Sequence, residues 1–275
     1  MLQRLLLTLL LMLAMPLHAA PKADLWPHWQ QNTPQSELLI DHSDWQKWLT
    51  TYVVTDPSGY NRVAYSRVTN ADKALLSNYL NYLQSLTISH YAQEEQMAFW
   101  INLYNAQTVA LILEYYPVKS ITDIDISPGF FSNGPWKKKL LSIEGQSLSL
   151  DDIEHRILRP IWQDPRIHYA VNCASVGCPN LSDQAFTAEN TEQLLDKNAR
   201  LYINHPRGVY IDNEKLILSK IYSWFSEDFG RSDQDIIQHI AMFADPALKQ
   251  QLEKHTRIDD YEYDWSLNEI RDASQ

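Results

Sequence analysis

The sequence predicts an α+β fold, a helix-rich single domain packed on a small, mostly antiparallel sheet. Three observations point there. Several long segments repeat apolar residues at helical spacing. Two pairs of short apolar runs flank turn residues, as hairpins do. Strand-like and helix-like segments do not alternate regularly, which argues against a parallel βαβ sheet. A chain of 275 residues with 45% hydrophobic content is enough for a full core. No linker or internal repeat follows residue 40, so residues 41–275 are expected to form one globular domain.

The elements follow in order. Residues 1–20 carry the marks of a signal peptide: Arg4, an apolar run over Leu5–Met15 interrupted by Thr8, the breaker Pro16, and the small residues Ala19 and Ala20. The apolar run is too short for a membrane span. It predicts a periplasmic or secreted chain with no stable membrane span after its removal. Residues 21–40 are a polar lead-in. His42–Val54 is the first helix, with Ser43 as N-cap. Asp56–Gly59 has turn chemistry. Asn70–Leu86 is a helix capped by Asn70. Ala92–Tyr116 is the most hydrophobic long helix and stops at Pro117. Inside it, Glu95, Asn102 and Asn105 share one side. Buried amides and carboxylates must find partners, by tying loops or by lining a site.

Residues 121–138 are irregular, with the aromatics Phe130, Phe131 and Trp136 in a loop. Lys137–Ile143 and Gln146–Leu150 form a hairpin around Glu144-Gly145. A short helix over Asp152–Leu158, capped by Ser149 or Asp151, carries Glu154 and His155. Arg166–Cys173 alternates as a strand does. Thr191–Asn204 is a helix. Val209–Ile211 and Lys215–Leu218 form a second hairpin. Ser219–Phe225, Ser232–Phe243 and Pro246–His255 are helices, and Tyr261–Leu267 is a last strand.

Composition excludes some functions. The formal charge of −11 opposes a sequence-independent grip on nucleic acid. Only 7 glycines, no phosphate loop, no Gly-x-Ser-x-Gly and no His-Glu-x-x-His leave the familiar nucleotide, serine and zinc-protease signatures unrepresented. The expected ligand is a small molecule, a peptide or a glycan.

Four blocks resemble the family called domain of unknown function 547: EEQMAFWINLYNAQTV, LSLDDIEHRILRP, DPRIHYAVNCASVGCPNL and LSKIYSWFSEDFG. They span Glu94 to Phe229 in the family's order. The matching positions are Trp100, Asn102, Tyr104 and Asn105; Glu154, His155 and Arg159; His168, Asn172, Cys173, Ser175, Cys178 and Pro179; and Ser219, Trp224, Asp228 and Phe229. Family members often carry Gly where this chain has Ala174. The resemblance implies a family and a shared site, and names no reaction.

Three readings of that site stand side by side. The first is a cysteine-dependent hydrolase or transferase acting on amide- or peptide-type bonds. Its nucleophile is Cys173, its base His155 or His168, and its orienting carboxylate Glu154. Asn102, Asn105, Asn172 and Cys178 are candidate binding or oxyanion groups. If Arg166–Cys173 is a strand, His168 and Cys173 point to opposite faces, which favours His155. The second is a non-catalytic envelope binding or scaffold protein stapled by a Cys173–Cys178 disulfide, which export favours. The third is a Zn²⁺ site of His155, His168, Cys173 and Cys178. No other cofactor is indicated.

Overall fold

The computed structural model describes residues 22–129 and 134–270. The expected signal peptide and the ring positions Phe130 and Phe131 lie outside the described residues. Helices dominate and the strands are few and short, so the α+β prediction holds. The strands do not join into one sheet, however. Among the described residues they form three small ones.

Helix α1 (Ser43–Tyr52) leads into a hairpin of β1 (Val53–Thr55) and β2 (Asn61–Val63). The turn chemistry of Asp56–Gly59 marks that hairpin's tip, and Gly59 supplies a positive φ there. Ser43 does not cap α1; its N–H is held by the Asp41 carboxylate at 2.8 Å. Helix α2 (Asn70–Ser85) is likewise capped one residue earlier than expected, by Thr69, whose hydroxyl accepts from the Asp72 N–H. Helix α3 (Gln93–Tyr115) is buried on nearly every face from Glu95 to Ala106. Strands β3 (Leu141–Ile143) and β4 (Gln146–Leu148) pair around Glu144-Gly145, both at positive φ.

The next helical stretch is longer than expected. It runs as α4 (Leu150–Asp152), a π-helical segment over Ile153–Leu158, and α5 (Arg159–Trp162). Ser149 opens it with a capping box to Asp152. Pro160 does not stop it. Pro160 has no N–H for the carbonyl of Arg156, and the ladder widens just before it, with the Arg159 N–H reaching Glu154 O. The carbonyls of His155 and Arg156 accept instead from Asp24 N (2.9 Å) and Trp26 N (3.0 Å). This distortion thereby binds the lead-in, whose Trp29 is buried against Trp100 at 5.0 Å between ring centroids.

Arg166–Cys173 is not a strand. Pro165–Tyr169 forms a 3-10 helix capped by Asp164, whose side chain accepts from Arg166 N. Pro165 fixes the first φ of that turn, and Asp164, Glu192 and Asp196 all grip the Arg166 guanidinium. The local capping chemistry overrides the alternation. Helix α6 (Thr191–Ile203) follows. Then β5 (Val209–Asp212) and β6 (Lys215–Ser219) pair antiparallel. After α7 (Lys220–Trp224), α8 (Ser226–Phe229), α9 (Asp233–Phe243) and α10 (Pro246–Leu252), β7 (Asp260–Glu262) joins β6 in parallel. The last strand is thus shorter than Tyr261–Leu267; beyond it, single bridges tie Leu267 to Ser175 and Glu269 to Val63.

Among the described residues, apolar side chains gather in two clusters. One surrounds α1, α2 and α3 with Trp45, Trp48, Phe99 and Trp100. The other joins α6, β5, β6 and α9 around Tyr202, Tyr222, Phe229 and Ile240. The segment with both cysteines runs along the border, with Val171 and Ala174 in the first cluster and Tyr169 in the second.

Candidate active site

The loop Asn172–Pro179 is closed by its own side chains. Asn172 donates through Nδ2 to Pro179 O at 2.6 Å, and its Oδ1 accepts from Ala174 N at 2.9 Å. Cys178 N donates to Ser175 O, completing a turn. Ala174 has φ +60°, the left-handed region where glycine is favoured. That is the position where the resembled family often carries Gly. Val176 and Gly177 donate to Ser266 O and Asp264 O, both at 2.8 Å, so the C-terminal segment lies across the loop. Gly177 is needed for this approach: a Cβ there would meet Asp264 N at 2.8 Å and Cδ2 of Tyr263 at 3.0 Å. Gly177→Ala is expected to cost about 1–3 kcal/mol in chemical denaturation, by pushing that segment off the loop.

This crossing delivers Tyr263 to Cys173. The Tyr263 hydroxyl and the Ser175 hydroxyl each sit 3.1 Å from the Cys173 sulfur and 2.8 Å from one another. Both cysteines are free thiols, Cys173 half-buried and Cys178 buried. Instead of a disulfide, the Cys178 sulfur accepts from the Cys173 backbone N–H at 3.0 Å. The staple reading is corrected accordingly. Burial pushes the Cys173 thiol up, but hydrogen bonds from Cys178, Ser175 and Tyr263 outweigh it and lower Cys173 to about 7. Burial raises Cys178 well above the ordinary thiol range, and the neighbouring Cys173 adds to it. Tyr263 is raised in the same way, by burial and then by the two cysteines, so its hydroxyl keeps its proton and donates.

The histidines lie in a second, adjoining cluster. His168 Nε2 meets Asp228 at 2.7 Å, and its Nδ1 lies 3.7 Å from Glu154. The Arg159 guanidinium donates to Asp228 at 2.5 Å and to His155 Nδ1 at 3.1 Å. Phe225 stacks on His168 at 4.1 Å and lies under Arg159. Burial pushes the Glu154 carboxyl up, yet His155, His168 and Arg159 prevail and hold it below the ordinary carboxylate range. Burial lowers His155 to about 4, Glu154 opposing, so its ring is neutral at pH 7. Asp151, 3.8 Å from His155, is raised to about 6 by burial and by Glu154.

The structure brings Glu154, His155 and His168 together, and Cys173, Cys178 and Asn172 together. It does not put either histidine in hydrogen-bond contact with Cys173, whose sulfur is met by hydroxyls. Tyr104 lies between the two groups: burial raises it well above its ordinary value, with Glu154, Cys173 and Cys178 adding to the effect. Asn102 and Asn105 use both ends of their amides on backbone. Asn102 holds N and O of Phe186 at 3.0 and 2.7 Å. Asn105 holds Asn172 N and Ala170 O, both at 2.8 Å. Glu95 accepts from Ile40 N at 2.7 Å. These side chains tie loops to α3 and so place the cysteine loop. Among the described residues no group of three or more His, Cys, Asp and Glu side chains is arranged to hold a metal ion.

No local motif in the sequence marks Tyr263 as a site residue. The alternation of Tyr261, Tyr263 and Trp265 was its one signal, and nothing in it pointed to a thiol 90 positions away. Arg207 is likewise unmarked in the sequence; it braces the loop by donating to the carbonyl of Cys178 at 2.6 Å.

Together these features define an α+β protein with a free thiol among hydroxyl donors, beside a buried histidine–carboxylate–arginine cluster. Residues 88–203 match the family model described as protein of unknown function, DUF547. The blocks that carry the long helix, Glu154 and both cysteines fall inside it, whereas Trp224, Asp228 and Tyr263 lie beyond it. Comparisons with curated proteins and with solved structures found no match.

Proposed function

We propose that this protein is an exported cysteine-dependent hydrolase or transferase acting on amide- or peptide-type bonds, with Cys173 as nucleophile. The observation that carries the proposal is the half-buried Cys173 sulfur lying 3.1 Å from each of the Ser175 and Tyr263 hydroxyls, whose hydrogen bonds help to lower the thiol to about 7. A thiolate present at neutral pH attacks a carbonyl carbon without a separate base. When the C–N bond breaks, the departing amine takes a proton from the hydroxyl pair of Tyr263 and Ser175. Water then releases the acyl group and restores that proton. His155 and His168 serve as positioning residues that hold the Glu154 carboxylate. Export is supported by the Arg4-to-Ala20 pattern, and among the described residues no helix is long and apolar enough to cross a membrane.

Alkylation with iodoacetamide from pH 5 to 10, localised by mass spectrometry, tests the central claim. Cys173 is expected to titrate near 7. In Tyr263→Phe and Cys178→Ala the midpoint is expected to rise by about one pH unit each, toward the ordinary value of about 8.5. A wild-type midpoint at or above that ordinary value overturns the reading. So does the absence of an acyl adduct at Cys173 after exposure to p-nitrophenyl acetate.

A further inference from the structure

Of the 9 tryptophans, Trp29, Trp45, Trp48 and Trp100 are buried in the apolar core. Trp136, Trp224 and Trp265 behave differently. They come from three separate elements, the loop before β3, the end of α7 and the segment after β7. All three are only half-buried, yet they converge. Trp224 lies 4.8 Å from the ring of Tyr263 and 5.5 Å from Trp265; Trp265 is 4.6 Å from Tyr263 and 5.9 Å from Trp136. The rings are tilted or edge-on to each other, so none covers its neighbour face to face. Tyr263, at the centre, carries the hydroxyl that meets the Cys173 sulfur. The group of rings is therefore continuous with the thiol. Apolar ring surface left half-open in this way gains by covering itself, and it does so best with another ring or a broad aliphatic group. The polar groups that meet the Cys173 sulfur are hydroxyl and thiol, none of them a formal charge at neutral pH.

We infer that Trp136, Trp224 and Trp265 form the substrate wall of the Cys173 site and select an uncharged amide-type substrate with an aromatic or large apolar group next to the reacting bond. This rests on the reading of Cys173 as nucleophile and names the substrate class for it. The wall determines specificity; Cys173 performs the attack.

Two probes test it. 2-Chloroacetamide and N-benzyl-2-chloroacetamide both lose chloride to the thiolate and form the same thioether bond, and differ in the benzyl ring alone. On wild-type protein the benzyl reagent is expected to alkylate Cys173 about tenfold faster, since a well-packed aromatic contact is worth about 1.4 kcal/mol. The ratio of the two rates is expected to fall toward one in Trp224→Ala and Trp265→Ala and to be largely restored in Trp224→Phe. A wild-type ratio near one, or a ratio unchanged in both alanine variants, overturns the wall. The unreactive N-benzylacetamide is titrated against Cys173→Ser protein by tryptophan fluorescence. A saturable change that disappears in Cys173→Ser/Trp265→Ala supports the wall, and its absence from Cys173→Ser overturns it. This second arm does not use the thiol, so an inert Cys173 sinks the nucleophile and leaves the wall to be decided by binding.

Discussion

Unfolding free energy is expected to fall by roughly 2–3 kcal/mol for each pH unit between pH 6 and pH 4. Burial lowers His42, His155 and His239 each to about 4. Asp41 opposes the shift of His42, Glu154 that of His155 and Asp164 that of His239, and none prevails. In the unfolded chain the same rings take a proton near 6.5, about the ordinary value. Between those values the unfolded state binds more protons, so stability is present above pH 6.5 and is lost as pH falls. Asp151 works the other way. Its folded value of about 6 exceeds the unfolded one, so the folded state gains a proton as pH drops and stability rises with it. Three histidines against one carboxyl leave a net uptake of about two protons on unfolding near pH 5; nearer pH 4 the folded rings begin to take protons themselves, and the carboxyls of Glu154 and Asp228, held low only in the fold, make up the difference, each proton contributing about 1.4 kcal/mol per pH unit. Urea denaturation at half-unit pH steps measures the slope. His239→Gln replaces the ring that meets Tyr169 at 2.9 Å with a non-titrating amide and is expected to flatten the slope by about one proton's share. A flat profile from pH 6 to 4 would refute the assignment of neutral buried rings.

The helices α2, α6 and α9 were legible because burial on one face imposes a period, whereas α3, buried on nearly every face, was legible as a long apolar run that stops at Pro117. The hairpins β3–β4 and β5–β6 were legible because their turns require positive φ, which Glu144, Gly145, Asn213 and Glu214 adopt. The segment Arg166–Cys173 misled for a physical reason. Its alternation is real in sequence, but Asp164 and Pro165 set a helical turn whose cap and ion pairs outweigh strand propensity. Opposite strand faces therefore do not separate His168 from Cys173, because His168 sits in a 3-10 turn. The structure separates them for another reason: His168 is held by Asp228, 60 positions away, and Cys173 by Tyr263, 90 positions away. Contacts of that separation leave no periodic trace. Asp228 is legible through the resembled family's last block, whereas Tyr263 shows only as a position in an alternating run. The amides of α3 show the converse. Asn102 and Asn105 stood out as polar groups in an apolar helix, and they proved to be splints for the Phe186 and Asn172 backbone.

The cluster around Asp228 separates a structural role from a catalytic one. The Asp228 carboxylate accepts from Arg159 and from His168, whose side chains are 3% and 2% exposed. Burial pushes the Asp228 carboxyl up, and the bonds from His168 and Arg159 outweigh it, so its folded value lies below the ordinary carboxylate range. Asp228→Ala leaves a buried guanidinium and imidazole facing an empty position. The expected loss is about 3–5 kcal/mol, the usual cost of removing one partner from a buried pair. Asp228→Asn keeps the shape and one acceptor, and about 1.5–3 kcal/mol is the expected loss of a charged hydrogen bond. Its effect on the thiol decides the chemistry. With Ser175 and Tyr263 as the groups on the Cys173 sulfur, Asp228→Asn should leave the alkylation midpoint of Cys173 near 7, while Tyr263→Phe moves it. An upward shift of a unit or more in Asp228→Asn would show that the imidazole it holds reaches the thiol. The site would then work as a cysteine–histidine pair closed by movement, because a carboxylate that merely braces a neighbouring cluster has no other route to the sulfur.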